Sequence, residues 1–118
     1  MSPVSAITTH VLDTARGTPA AGVPVRLERV SGAGPEEIGR ASTDADGRVR
    51  DLGPPRLRPG TYRLVFGTAE YFASLDRPDQ RDAFFPEVTV TFTADGEAAH
   101  YHVPLLLSPF GYATYRGS

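Results

Sequence analysis

The sequence predicts an all-β sandwich with a single short helix, and three observations point there. Apolar and polar residues alternate with a period of two in several short segments, the pattern of a strand with one buried and one wet face. Twelve glycines and eleven prolines cut the 118 residues into pieces too short for a helical bundle. Turn signals fall between the alternating segments, as they do in sandwiches.

Taken in chain order, "SAITTHVL" puts Ile7, Thr9 and Val11 on one face and Thr8 and His10 on the other. "VPVRLERV" puts Val23, Val25 and Leu27 inward, against Arg26 and Glu28. Asp46-Gly47 in "DADGR" is a hairpin signal, because both central positions of such a turn favour φ > 0, and Asp95-Gly96 in "TADGE" repeats it. "TYRLVFG" aligns Tyr62, Leu64 and Phe66.

"TAEYFASLDRPD" breaks the alternation. Thr68 can N-cap, Tyr71, Phe72 and Leu75 form an apolar stripe, and Pro78 stops the segment. A helix is therefore expected over about 69–76, lying on one edge of the sandwich. "EVTVTFT" returns to alternation, with Val88, Val90 and Phe92 against three threonines. In "AAHYHVPLLL", Tyr101, Val103 and Leu105 form the core face, so His100 and His102 point the other way. "PLLLSPFGYATY" is apolar at both parities, which calls for a covering partner, most simply a second copy of the chain.

The bulk properties bound the function. At 118 residues the chain makes one domain, residues 1–118, able to bury one core. A net charge of -2 gives no general attraction to nucleic acid or anionic membrane. With no cysteine, disulfides and thiolate metal sites are excluded. "MSPVSAITTH" lacks the basic and apolar regions of a secretory signal, and no apolar run approaches the ~20 residues of a membrane span, so a cytoplasmic protein is expected.

The three histidines carry the polar interest. Each could be a solvated surface residue. Together they could form an acid–base site, because imidazole titrates near neutrality. A His-x-His pair with a third histidine could also hold zinc. No carboxylate or cysteine at matching spacing completes a metal set, and no metal is expected.

The segments "ITTHVLDTARGTPAAGVPVRL", "TDADGRV", "YRLVFGTAEYF", "FFPEVTVTF" and "HYHVPLLLSPFGYATYRGS", in this order, resemble the 5-hydroxyisourate hydrolases of the transthyretin-like family. The likeness runs from about Ile7 to Ser118, and "YRGS" is its most specific mark. It implies a prealbumin-like sandwich of two four-stranded sheets with one short helix. It also implies a homotetramer, a dimer of dimers, with active sites in the channel where the dimers meet. The implied reaction is hydrolysis of 5-hydroxyisourate to 2-oxo-4-hydroxy-4-carboxy-5-ureidoimidazoline in urate degradation, with no cofactor.

Carried over position by position, the implied catalytic set is His10, Arg48, His102 and Ser118. The implied substrate-binding set is His10, Arg48, Tyr115, Arg116, Gly117 and Ser118. Such residues suit a hydrolysis in which imidazoles activate water and an arginine steadies the developing oxyanion. A transthyretin-type carrier using the same channel is the alternative.

Overall fold

The computed structural model describes residues 5–76 and 83–118. In chain order the described elements are β1 (Ile7–Asp13), β2 (Thr18–Pro19), β3 (Pro24–Ser31), β4 (Gly34–Ser42), β5 (Arg48–Val49), β6 (Gly60–Phe66), α1 (Thr68–Ser74), β7 (Val88–Ala94), β8 (Tyr101–Ser108) and β9 (Gly111–Thr114). They form two sheets. One has the order β4-β3-β6-β7 and is antiparallel throughout. The other runs β2-β1-β8-β9, and the two-residue β5 joins β1 as a fifth strand beyond the four expected.

The period-two reading assigns the faces correctly. Ile7, Val11, Val23, Val25, Leu27, Leu64, Phe66, Leu105 and Leu107 are all buried between the sheets. Each such side chain contributes about 1.5–3 kcal/mol by leaving water. Val65 departs from the alternation: it faces away from Leu64 and is buried too.

The pairing of β1 with β8 is parallel, with Thr8 opposite His102 and His10 opposite Pro104. Strands far apart in sequence are thereby made neighbours, and no local pattern encodes that.

The Asp-Gly turns are not hairpins. β4 and β5 belong to different sheets, as do β7 and β8, so each turn carries the chain across the sandwich. Gly47 and Gly96 take φ of 75° and 79°, while no described residue other than glycine has positive φ. Asp44 organises the first turn instead of Asp46, its Oδ1 accepting from the backbone N–H of Asp46 at 2.9 Å and of Arg48 at 3.0 Å. Those bonds, that from Arg48 foremost, hold the Asp44 carboxyl below its ordinary pKa. Gly47 is required there: a Cβ would lie 2.4 Å from the Val11 carbonyl oxygen.

α1 starts one residue earlier than expected and has Gly67, not Thr68, at its N-cap. The Thr68 hydroxyl donates to the Phe85 carbonyl, tying the helix to the segment before β7. Pro78, the expected stop, lies outside the described residues, and the last helical residue is Ser74. Tyr71 does more than fill the apolar stripe. Its hydroxyl donates at 2.7 Å to Oδ2 of Asp13, a fully buried carboxylate whose Oδ1 accepts from the N–H groups of Ala15 and Arg16. Burial first, and then the bond to Asp13, push the Tyr71 phenol up to about 12. At seven residues, α1 is too short to cross a membrane, and no other described helix could do so.

Candidate active site on the outer face of the β1–β8 sheet

Three strands aim polar side chains at one place. The parallel register of β1 and β8 sets Thr8 beside His102, and the antiparallel register of β1 and β5 sets His10 beside Arg48. The chain after β9 then folds back. The Gly117 N–H donates to the His102 carbonyl at 2.8 Å, an isolated antiparallel bridge that carries Ser118 over the sheet. Thr8, Thr9, Arg48, Arg50, His102 and Ser118 line the resulting cleft of about 330 Å3, with His100 at its rim. That volume lies at the lower end of small-molecule sites, roughly 300–1,000 Å3.

His102 is held from two sides. Its Nδ1 lies 2.8 Å from the Thr8 hydroxyl. Its opposite edge packs against Gly117, where a Cβ would sit 2.6 Å from the imidazole Cδ2. The glycine of "YRGS" is thus a steric requirement of this ring. Burial, followed by the charges of His100, Arg48 and His10, lowers the His102 pKa below the ordinary 6.5. The ring is therefore neutral near pH 7, as a general base or a neutral hydrogen-bond donor must be.

His10 is oriented by the turn. Its Nε2 lies 3.0 Å from the Asp46 carbonyl oxygen. A carbonyl can only accept, so Nε2 carries a proton. Arg48, its backbone fixed by Asp44 and paired opposite His10, supplies a permanent cation to the cleft that His102 lines.

The structure brings together His102, Arg48 and Ser118, with His10 adjacent across the strand pair. It sets Tyr115 and Arg116 elsewhere: both line a separate cavity of about 130 Å3 on the other side of the tail, shared with His102. The Arg116 guanidinium stacks over the Tyr101 ring, 5.6 Å from its centroid. Tyr101 in turn donates to Asp95 at 2.9 Å, so this group clamps the tail.

Two participants missing from the expected set are Thr8 and His100, whose side chains meet at 2.9 Å. Parity had already put each on the outer face, but nothing in sequence spacing showed that they would touch. A larger cleft, about 620 Å3, lies on the outer face of the other sheet beside α1. It contains no histidine, and its Arg26 and Arg40 are engaged by Glu28 and Glu37. Of these two, the smaller cleft is the one that histidines line.

Fold and site together define a transthyretin-type sandwich whose outer face bears a polar, imidazole-lined cleft instead of a bare sheet. A family model described as the HIUase/Transthyretin family matches residues 7–117, and the chain belongs to that family. It is 46% identical to a 5-hydroxyisourate hydrolase of Deinococcus radiodurans over 124 aligned positions, covering all of both chains. It is 45% identical to one of Salmonella dublin over 113 positions, covering 95% of this chain and 80% of that protein. Among solved structures it resembles Klebsiella pneumoniae 5-hydroxyisourate hydrolase, with a TM-score of 0.80 and 38% identity over 97% of this chain and all of that one. Transthyretin from Sparus aurata superimposes with a TM-score of 0.84 at 30% identity, over 95% of this chain and 96% of that one.

Proposed function

We propose that this protein hydrolyses 5-hydroxyisourate to 2-oxo-4-hydroxy-4-carboxy-5-ureidoimidazoline, a step of urate degradation in the cytoplasm. The observation that carries the proposal is the convergence of Arg48, His102 and Ser118 on one cleft with His10 beside it. Relatives named for this activity across bacteria and mouse support it.

The reaction opens a ring by adding water to a cyclic amide carbonyl. A neutral imidazole takes a proton from water as its oxygen bonds to the carbonyl carbon. The Arg48 guanidinium holds the anionic substrate and balances the charge growing on the carbonyl oxygen, a term worth about 3–4 kcal/mol for one well-aimed donor. The imidazolium so formed gives that proton to the leaving nitrogen as the carbon–nitrogen bond breaks, while His10, whose Nε2–H is held by the Asp46 carbonyl, helps to position the water. Ser118 binds the substrate or relays that proton. No step calls on a cofactor.

The working unit on this proposal is a homotetramer, a dimer of dimers, with the cleft facing the channel between dimers. The exposure of Phe110, Tyr112 and Tyr115 near the edge strand β9 favours a covering copy of the chain. There Gly117 and Ser118 would border the substrate, with Tyr115 and Arg116 anchoring the tail from the adjoining cavity. The carrier reading has less behind it, since two arginines, two histidines and three hydroxyl residues suit a polar anion.

The test is to generate 5-hydroxyisourate in situ with urate oxidase and follow its near-ultraviolet absorbance. Added protein is expected to speed the decay in proportion to its concentration. Decay at the spontaneous rate would refute the proposal.

A further inference from the structure

Thr8 stands between two imidazoles. Its hydroxyl lies 2.9 Å from Nε2 of His100 and 2.8 Å from Nδ1 of His102, and the residue is 9% exposed. The two rings are close to parallel, 17° apart, with centroids 6.4 Å from each other. A hydroxyl owns one proton. The Thr8 oxygen has no third partner among the described residues, so that proton goes to one ring and the other ring donates to the oxygen. The tautomers of His100 and His102 are therefore tied together.

Two arrangements give the hydroxyl proton to a ring nitrogen. In one, His100 donates to Thr8 and Thr8 donates to His102 Nδ1, which leaves His102 with a proton on Nε2. In the other, His102 Nδ1–H donates to Thr8, Thr8 donates to His100 Nε2, and His102 keeps a lone pair on Nε2. Nδ1 is engaged and Gly117 covers the Cδ2 edge, so Nε2 is the ring nitrogen left for the cleft. Arg48 lines that cleft and brings only donors and positive charge. A cation beside Nε2 favours a lone pair over an N–H dipole. Arg50 also lines the cleft but faces the Asp44 carboxylate at 4.0 Å, and His10 on β1 is the remaining titratable neighbour of His102.

We infer that Thr8 is a positioning residue that, with His100 as its outer acceptor, holds His102 in the Nδ1–H tautomer and makes Nε2 the general base. This assignment rests on the proposed hydrolysis for its catalytic meaning, but the tautomer is a property of the resting protein. The chain needs no rearrangement during the step. Water gives one proton to Nε2, its oxygen bonds to the substrate carbonyl carbon, and the imidazolium keeps donating from Nδ1 to Thr8. His10, protonated on Nε2 by its bond to Asp46, does not compete for Thr8.

The test combines nitrogen-15 NMR of the histidine rings with kinetics on the full chain. At a pH where the rings are neutral, His102 is expected to show a protonated Nδ1 and a bare Nε2. Thr8→Val, which keeps the shape and removes the hydroxyl, is expected to move the proton to Nε2. It should also cut kcat roughly 10–100-fold, with KM changed less than about threefold, the loss of one hydrogen bond to a group that becomes charged. Thr8→Ser restores tautomer and kcat together. A wild-type His102 protonated on Nε2, or a Thr8→Val protein with wild-type tautomer and kcat, overturns the inference. If the wild type has the Nδ1–H tautomer and Thr8→Val changes it, yet neither protein hydrolyses 5-hydroxyisourate, the bridge stands and the hydrolase reading is what fails.

Discussion

Replacing Gly117 with alanine puts one methyl group where the structure has no room for it. The new Cβ would lie 2.6 Å from His102 Cδ2 and 3.3 Å from both its Cγ and its carbonyl oxygen. The first distance is about 0.8 Å short of ordinary van der Waals contact, and the atom it meets belongs to a rigid ring. The backbone itself is no obstacle, because Gly117 is not among the glycines with positive φ. Either the imidazole swings away, stretching its 2.8 Å contact with Thr8, or the tail lifts and loses the 2.8 Å bond from Gly117 to the His102 carbonyl. Each hydrogen bond contributes about 0.5–1.5 kcal/mol, but a catalytic group misplaced by ~1 Å costs about 100-fold in rate. The expected result is kcat/KM lowered roughly 10–100-fold in the urate oxidase-coupled assay. Thermal unfolding should shift by no more than about 5 °C, since only the tail and one ring are disturbed. A Gly117→Ala protein with wild-type kcat/KM would refute the claim that the tail backs His102.

Deleting Tyr115 to Ser118 should abolish hydrolysis and leave the far-ultraviolet circular dichroism of the sandwich essentially intact; retained activity would separate the tail from the site. Ser118→Ala should lower activity without abolishing it, and no acyl adduct should be seen by mass spectrometry of the wild type during turnover. A trapped adduct on Ser118 would replace water attack with a covalent route. The low His102 pKa means that kcat/KM falls on the acid side only below about 6.5, and Arg48→Gln should both weaken activity and move that limb upward. The sign for stability follows: the unfolded chain holds the proton more tightly at this group, so stability is full above about 6.5 and declines as pH falls through the lower folded value. Tyr71→Phe leaves Asp13 Oδ2, in a fully buried residue, without its donor and should destabilise by about 1–3 kcal/mol in urea unfolding while sparing kcat.

Local rules carried the reading as far as strands and faces. The parity of "SAITTHVL" and "AAHYHVPLLL" put Thr8, His10, His100 and His102 on outer faces, because side chains must alternate along a pleated strand. What parity could not give was which strands would adjoin. The parallel pairing of β1 with β8 joins residues more than ninety positions apart, and the Thr8–His102 contact exists only because of it. The Asp-Gly turns misled for a related reason. The dipeptide encodes a tight reversal, while the partner sheet of the next strand is a tertiary matter, and Asp44 outcompeted Asp46 for the turn's N–H groups. Thr68 could cap a helix in isolation, yet the Phe85 carbonyl was available to its hydroxyl and took it. "YRGS" announced itself as a motif without disclosing that its glycine answers to a ring on β8 and its arginine to Tyr101.

The most direct measurement sets the two clefts against each other under one assay. His102→Gln, in the cleft between β1, β5 and the tail, and Arg40→Ala, in the larger cleft beside α1, are compared with the wild type for decay of enzymatically generated 5-hydroxyisourate. The account predicts a loss of at least about 100-fold for His102→Gln, the scale of one general acid–base group, and a rate within about twofold of wild type for Arg40→Ala. A fully active His102→Gln protein, or an Arg40→Ala protein that has lost activity while folded, would put the chemistry on the wrong face of the sandwich.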